Sequence, residues 1–373
     1  MMIDWTASMK QTYEFYIVNP ISGMNVSKLD KVTGATINRD ISSDTQVSGS
    51  IEYDGELDEA YVRVYLVAEQ GDELEKIPLI TMLCQTPSVK FNGKRKTTSI
   101  TGYSPLLELQ NVYPPIGYTI PRWRGGENTV SIYNLIPEIC RSNMRCQVLD
   151  MPNPDGDYDI SQKIFFEPVV SDPQQSWFEF VNQLLKSANY FARVDEFGRI
   201  YFSKNHTISK MAPVWTYDSN NSSILSSDIS IDRDLYGIPN VVEVIATTTN
   251  GSTQSFRAVN NDINSPVSVS SRGREVVLRM INPEKLGKIA SDDTIPIQNF
   301  AYQQLEEASS LQYSISYKHG YCGVNIGDCV RINYPQAGII NEKAYVVTQK
   351  IDCKTGCEVE EKALFTKKLF ERK

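Results

Sequence analysis

Two histidines, seven cysteines and one run of alternating carboxylates are where chemistry would have to start in this sequence of 373 residues. His206 and His319 are each flanked by polar or turn residues. Neither falls in a zinc-protease helix, a nucleophile elbow or a recognisable pairing with a carboxylate, so both are expected at the solvated surface. Cys84, Cys140, Cys146, Cys322, Cys329, Cys353 and Cys357 are an odd number spread over a long chain without a signal peptide, which predicts reduced thiols. The last four offer a zinc set on paper. Cys322 and Cys329 are an odd number of residues apart, however, and point to opposite faces of a continuous strand, so small core or surface residues are expected instead.

Asp155-Gly156-Asp157-Tyr158-Asp159 places carboxylates at alternate positions, like the opening of a calcium loop. It lacks the glycine at the sixth position and the acid at the twelfth, where Phe166 stands, and reads as an ordinary acidic loop. Lys94-Arg95-Lys96 follows Asn92-Gly93 and reads as a solvated hairpin tip. There is no phosphate-binding glycine loop and no dinucleotide fingerprint, and the net charge of −8 argues against a nucleic-acid-binding surface. No catalytic, cofactor-binding or metal-binding residue is assigned, and no cofactor is expected.

The elements around these residues are mostly strands. From Thr12 to Val112 the pattern alternates with period two over Tyr13–Val18, Thr33–Ile41, Gln46–Tyr53, Tyr61–Ala68, Ile77–Gln85, Ser88–Phe91 and Lys96–Tyr103. Turn signals at Gly23, Asp54-Gly55, Gly71-Asp72 and Asn92-Gly93 separate them. Pro114-Pro115, Pro121 and Gly125-Gly126 then break the pattern. A helix is expected from an Asn128 or Thr129 cap to Asn143, with Pro137 inside it. A clearer helix follows, with Asp172 as N-cap, Pro173 at its start and Trp177, Phe180, Val181, Leu184, Leu185 and Ala188 on one face. It must lie on the hairpin Tyr190–Val194, Asp195-Glu196-Phe197-Gly198, Arg199–Phe202, and Trp177 is expected in that core.

Near the C-terminus, Thr294 is expected to cap a helix with Pro296 just inside it and Phe300, Ala301, Leu305, Ala308 and Leu311 in its stripe. Ser314–Tyr317, Cys329–Tyr334 and Ala344–Ile351 then alternate as strands, with turns at Asn325–Asp328, Pro335–Gly338 and Lys354–Gly356. One word occurs twice: Ile37-Asn38-Arg39-Asp40-Ile41 and Ile231-Asp232-Arg233-Asp234-Leu235, each followed by a second strand and an Asx-Gly turn. This suggests one barrel used twice.

The expected fold is therefore mainly β with α+β insertions: two tube-type antiparallel β-barrels plus a helix-and-hairpin α+β domain. Residues 1–112 form the first barrel and 113–212 the α+β domain. Residues 213–250 supply the opening strands of the second barrel, 251–312 an insertion whose amphipathic helix packs on the α+β domain, and 313–373 the closing strands.

The order of parts resembles the baseplate hub or tail-tip base family of long-tailed bacteriophages and contractile injection systems. The likeness rests on the Ile-x-Arg-Asp-Ile strand, the Trp-led helix with its Asp-x-x-Gly hairpin, the entry at Ile238-Pro239-Asn240-Val241-Val242 and the closing strand Gly327-Asp328-Cys329-Val330. It implies two barrels side by side in each chain and three chains in a ring of six barrels that adapts the six-fold tail tube to a three-fold spike around the channel for DNA. The implied partners are two further copies, the tail tube ring, the spike or tail-tip protein and other baseplate proteins, in a virion assembled in the host cytoplasm. No membrane and no specific nucleic acid is among them. Some relatives continue into a receptor-binding or wall-cleaving domain, and an end at Lys373 leaves no room for one. The resemblance implies a structural subunit rather than an enzyme. The alternatives are a carbohydrate-binding adhesin of the tail tip, using Tyr113, Tyr118 or Trp123, and a peptidoglycan hydrolase using paired carboxylates.

Overall fold

The computed structural model describes the chain except for residues 1–2, 92, 95, 121–131, 153–168, 171, 188–189, 205–207, 221–222, 284–285, 287–289, 291–293 and 373. The acidic run at 155–159, His206, Trp123 and the proposed caps at 128–129 lie outside the described residues. The chain divides into two compact units, Met1–Asp228 with Tyr317–Lys362, and Ile229–Ser316 with Ala363–Lys373.

The first unit opens with seven antiparallel strands: β1 (Lys10–Val18), β2 (Asn25–Lys28), β3 (Val32–Asp40), β4 (Val47–Tyr53), β5 (Ala60–Gln70), β6 (Glu73–Phe91) and β7 (Lys96–Tyr103), ordered β3-β4-β7-β6-β5-β1-β2. Period two is plain in β4, where Val47 and Ile51 are buried and Ser48, Ser50 and Glu52 are not. β5 instead buries every residue from Tyr61 to Leu66, as its near-continuous apolar run implies for a strand covered on both faces. Gly49 is needed because strands cross closely there: a Cβ would stand 2.6 Å from the Thr36 carbonyl oxygen and 2.7 Å from the Met82 sulfur. The two strands expected over 77–91 are one continuous β6, with a register shift between Cys84 and Thr86; of the basic run, Lys94 lies between β6 and β7 and Lys96 begins β7, while Arg95 is outside the described residues.

A helical layer follows in the same unit: α1 (Leu107–Gln110), β8 (Thr119–Ile120), α2 (Ile132–Asn143), β9 (Val169–Val170), α3 (Trp177–Ser187), β10 (Tyr190–Val194) and β11 (Ile200–Lys204). α3 buries Trp177, Phe180, Val181, Leu184 and Leu185 against Tyr190, Ala192, Ile200 and Phe202 of the hairpin, as its stripe predicts. Its start is corrected. Ser176 Oγ accepts from the Glu179 amide and the Glu179 carboxylate accepts from the Ser176 amide, a reciprocal capping box, while Asp172 closes the preceding turn. Ser-x-x-Glu one turn later was the stronger signal.

The chain continues through β12 (Trp215–Asp218) and β13 (Leu225–Arg233) into the second unit, with β14 (Val241–Thr247), β15 (Thr253–Val259), α4 (Val269–Arg272), β16 (Val277–Ile281) and α5 (Ile295–Ala308). β14 does not open a second barrel. It is the middle strand of a separate three-stranded sheet, antiparallel to β15 and parallel to β16. α5 packs there rather than on the α+β layer: Ile297, Ala301 and Leu305 lie on Val242, Val244, Ala246 and Ala258. Thr294 makes no side-chain cap bond, α5 ends at Ala308, and Leu311 belongs to the following strand.

That strand, β17 (Ser310–Gly320), precedes β18 (Cys329–Tyr334), β19 (Ile339–Asp352) and β20 (Glu358–Lys368). Cys329–Tyr345 to Tyr334–Ile339 pair β18 with the first part of β19, while Thr348–Asp40 to Asp352–Thr36 pair its second part with β3. One 13-stranded sheet results, running β13-β17-β20-β19-β3 and on to β2, with β12 parallel to β18 as a side branch. The strands expected to form two closed barrels instead share one sheet, with β1–β7 as its first lobe and β12, β13 and β17–β20 as its second, and among the described residues its hydrogen-bonded path stays open at β2, β12 and β13. The protein is mainly β. No helix among the described residues is long and apolar enough to cross a membrane.

The α3 core yields a test. Trp177 is 6% exposed and meets Tyr118 and Phe180 edge-on at 4.9 and 5.7 Å. Trp177→Ala is expected to lose about 3 to 5 kcal/mol in chemical denaturation; a parent-like midpoint would show that the ring is not a core element.

Candidate functional site

Arg39, on β3, is the residue from which a buried polar network can be followed. It is 5% exposed and donates to Asn325 Oδ1, Gln349 Oε1 and the Leu79 carbonyl. Gln349, on β19, in turn donates to the Val324 carbonyl and to Glu361 Oε1, both at 2.7 Å. Glu361, on β20, accepts at its other oxygen from Tyr317 at 2.8 Å, from Tyr217 at 3.2 Å and from His319 Nε2 at 3.2 Å. The chain of contacts therefore crosses from the first lobe to the second through β19, and four donors meet one carboxylate.

His319 is not the surface residue expected from its neighbours. Its side chain is 1% exposed, and its burial was legible in phase: Ile315, Tyr317 and His319 alternate on one face of β17, as Val359, Glu361, Ala363 and Phe365 do on β20. Burial alone would push the imidazole down. Hydrogen bonding to Cys322 and Glu361, with the charge of Glu361, outweighs it and holds the group up at about 10. Burial first, and then the Glu361 charge, push the hydroxyls of Tyr217 and Tyr317 well above their ordinary range.

The geometry does not make a nucleophile. Cys322 Sγ lies 3.9 Å from His319 Nδ1, but that nitrogen stands 2.6 Å from the Gly320 carbonyl oxygen, which only an N–H can satisfy, so it has no lone pair for the thiol. The His319–Glu361 pair fits an internal ion pair that fixes strand faces.

Beside Arg39 lies a cavity of about 150 Å³ lined also by Arg193, Asp195, Glu196, Tyr201 and Asp328. Arg193 is 6% exposed, donates to Tyr345 at 2.9 Å, and leaves Nη1 without a partner among the described residues. Burial raises Asp328 above its ordinary range against the amide of Asn325, which donates to it. The hairpin turn Asp195–Gly198 is held to the first lobe by Arg63, which donates to Thr81 Oγ1, Gly23 O and Phe197 O at 2.8, 3.0 and 3.0 Å. Gly198, at φ +76°, has room only for hydrogen there: a Cβ would meet Thr81 at 3.0 Å.

The remaining sequence candidates are scattered. Cys322, Cys329, Cys353 and Cys357 are all buried free thiols, and no three metal-ligating side chains converge among the described residues. Tyr118 packs on Trp177 and Phe180, whereas Tyr113 is 57% exposed beside an open groove of about 640 Å³. The repeated word is only half a structural repeat. Asp40 and Asp234 each accept from the amide two residues on, at 2.8 and 2.7 Å, but Arg39 is buried and Arg233 is exposed.

No family model and no curated protein matches the chain. Among solved structures it is similar to the tail protein from Neisseria meningitidis MC58, with a TM-score of 0.57 at 10% identity over 95% of this chain and 97% of that one. It is equally similar to the 43 kDa tail protein of prophage MuSo2 from Shewanella oneidensis, at 0.57 and 10% over 95% and 98%. A chain of the Francisella PdpA-VgrG complex aligns at 0.55 and 10%, over 96% of this chain and 58% of that one. At such identities the shared property is the fold.

The histidine gives a pH prediction. Its folded value of about 10 lies above the ordinary 6.5, so its stabilising contribution is complete below pH 6.5 and is lost as pH rises toward 10. The melting temperature of the parent is expected to fall between pH 6.5 and 8.5, before buried thiols such as Cys84 and Cys140, pushed up by burial to about 12, add their own loss. His319→Gln is expected to be less stable at pH 6.5 and to lack that slope; an unchanged slope contradicts the ion pair.

Proposed function

Because the chain carries the fold of phage tail proteins, we propose that it is a structural subunit of a tail tip, the baseplate hub, and that three copies form its ring. The observation that carries the reading is the two-lobed sheet joined at β19, together with a fold match that runs over nearly the whole chain. Residues 1–112 supply one tube-type lobe, and β12, β13 and β17–β20 supply the other. Two lobes per chain match a six-fold tube only when three chains combine, because a closed ring needs its interface to return after a whole number of copies. Three-fold symmetry then meets the spike on the opposite side.

In this reading the partners are the tube ring, the spike and neighbouring baseplate proteins, and the site of action is the virion tail, assembled in the host cytoplasm. The role is mechanical rather than catalytic, in keeping with a His319–Glu361 pair that has no free base to offer. A ring passing DNA works best with a neutral or acidic lumen, since a basic lining would hold the phosphate backbone by counterion release. The net charge of −8 suits that requirement.

Electron microscopy of the assembled particle tests the reading. Three copies at the tail tip, showing six tube-like lobes, are expected. A six-copy ring, or a single copy on the tail axis, would reject it.

A further inference from the structure

The loop joining β1 to β2 exposes aliphatic side chains from a backbone that is locked in place. Ile21, Met24 and Val26 are 74%, 71% and 66% exposed. Asn19 Oδ1 accepts from the amides of Ile21 and Ser22 at 3.0 and 3.1 Å, Gly23 N donates to Asn19 O at 2.8 Å, and Asn19 N donates to Met24 O at 2.9 Å. Buried Arg63 holds Gly23 O and Phe197 O at once, so Phe197, 42% exposed, belongs to the same held surface. A loop this constrained does not turn its apolar groups inward when alone. It presents them ready-made, which lowers the ordering cost of a protein contact.

Next to this loop the sheet ends. Among the described residues β2 pairs only with β1, and all four of its residues are exposed, leaving a row of backbone donors and acceptors on the outer edge. At the other end of the same path, among the described residues β13 pairs with no strand but β17 and leaves a second edge without a strand partner, with the Tyr334 hydroxyl donating to the Ser227 carbonyl at 3.5 Å. Residues 19–27 and 219–227, which lead into these two edges, contain no charged side chain in a chain of net charge −8. Copies of one acidic chain repel one another, and segments without charge are where they meet at least cost. An edge at each end of one sheet also suits a head-to-tail contact that closes into a ring.

We propose that Ile21, Met24, Val26 and the outer edge of β2 form the contact with a second copy of this chain, against the outer edge of β13 at residues 225–228. The inference rests on the ring reading and says which surfaces make the ring.

The test is sedimentation of the full chain, parent against Met24→Asp/Val26→Asp. Both positions are exposed, so melting should stay parent-like, while trimer formation should weaken at least about 30-fold, the cost of losing one interface anchor. A trimeric parent whose double variant assembles equally well overturns this contact and leaves the ring standing. A parent that stays monomeric at every concentration counts against the ring, and the contact falls with it. A second variant, Val26→Cys/Ser227→Cys, reads the pairing directly, because all seven native thiols are buried. Mild oxidation is expected to give linked dimers and trimers on a non-reducing gel, and a trimer that yields only monomer bands contradicts the pairing.

Discussion

The pairing of β19 with both lobes is the constraint on which the first unit depends. Fourteen residues, Ile339–Asp352, spend their first part on β18 and their second on β3, so the last strands of the sequence complete a sheet begun by the first. Contacts of such sequence separation are costly to form, because the loop between them must be closed before the pairing returns anything. What stabilises the junction once formed is side-chain chemistry placed at the same crossing. Arg39 arrives on β3, Gln349 on β19 and Glu361 on β20, and each finds its hydrogen-bonding partner on another strand.

Charge is handled at this junction in two ways. His319 and Glu361 form a buried pair in which the carboxylate is also satisfied by two tyrosines and an amide. Arg39, Arg63 and Arg193 instead spend their donors on carbonyls, amides and hydroxyls. A guanidinium offers five donors in a fixed fork, and can therefore tie several backbone segments together where a lysine would fix one. Arg63 does this between the β1–β2 loop and the 195–198 turn, which makes the exposed loop above it stiff.

Much of this was legible in the residues, and the misses have physical causes. The α3 stripe and the Asp-x-x-Gly hairpin were readable because a helical period beside a tight turn has few competing meanings. β14 was readable as a strand but not as to its partner: Asn240–Ala246 alternates as a barrel strand would, and periodicity does not say which edge a strand joins. Its true partners, β15 and β16, leave it with Val242, Val244 and Ala246 under α5. His319 has polar neighbours like a surface residue, and only its phase with Ile315 and Tyr317 marks the buried face. The cross-lobe network was beyond reach, since Arg39 and Gln349 are 310 residues apart and their contact exists only after β3 and β19 pair.

The central structural claim is that β3 and β19 weld the two lobes into one folding unit, the rigid piece that a ring would be built from. Native-state hydrogen exchange tests it most directly, at the amides of Thr36–Asp40 and Thr348–Asp352, which pair with one another. The account predicts that both segments are among the slowest to exchange, respond equally to denaturant and lose protection together in Arg39→Met. Exchange of Thr348–Asp352 at a lower free energy than Thr36–Asp40, with the first lobe left protected, would show two independently folding lobes and contradict it.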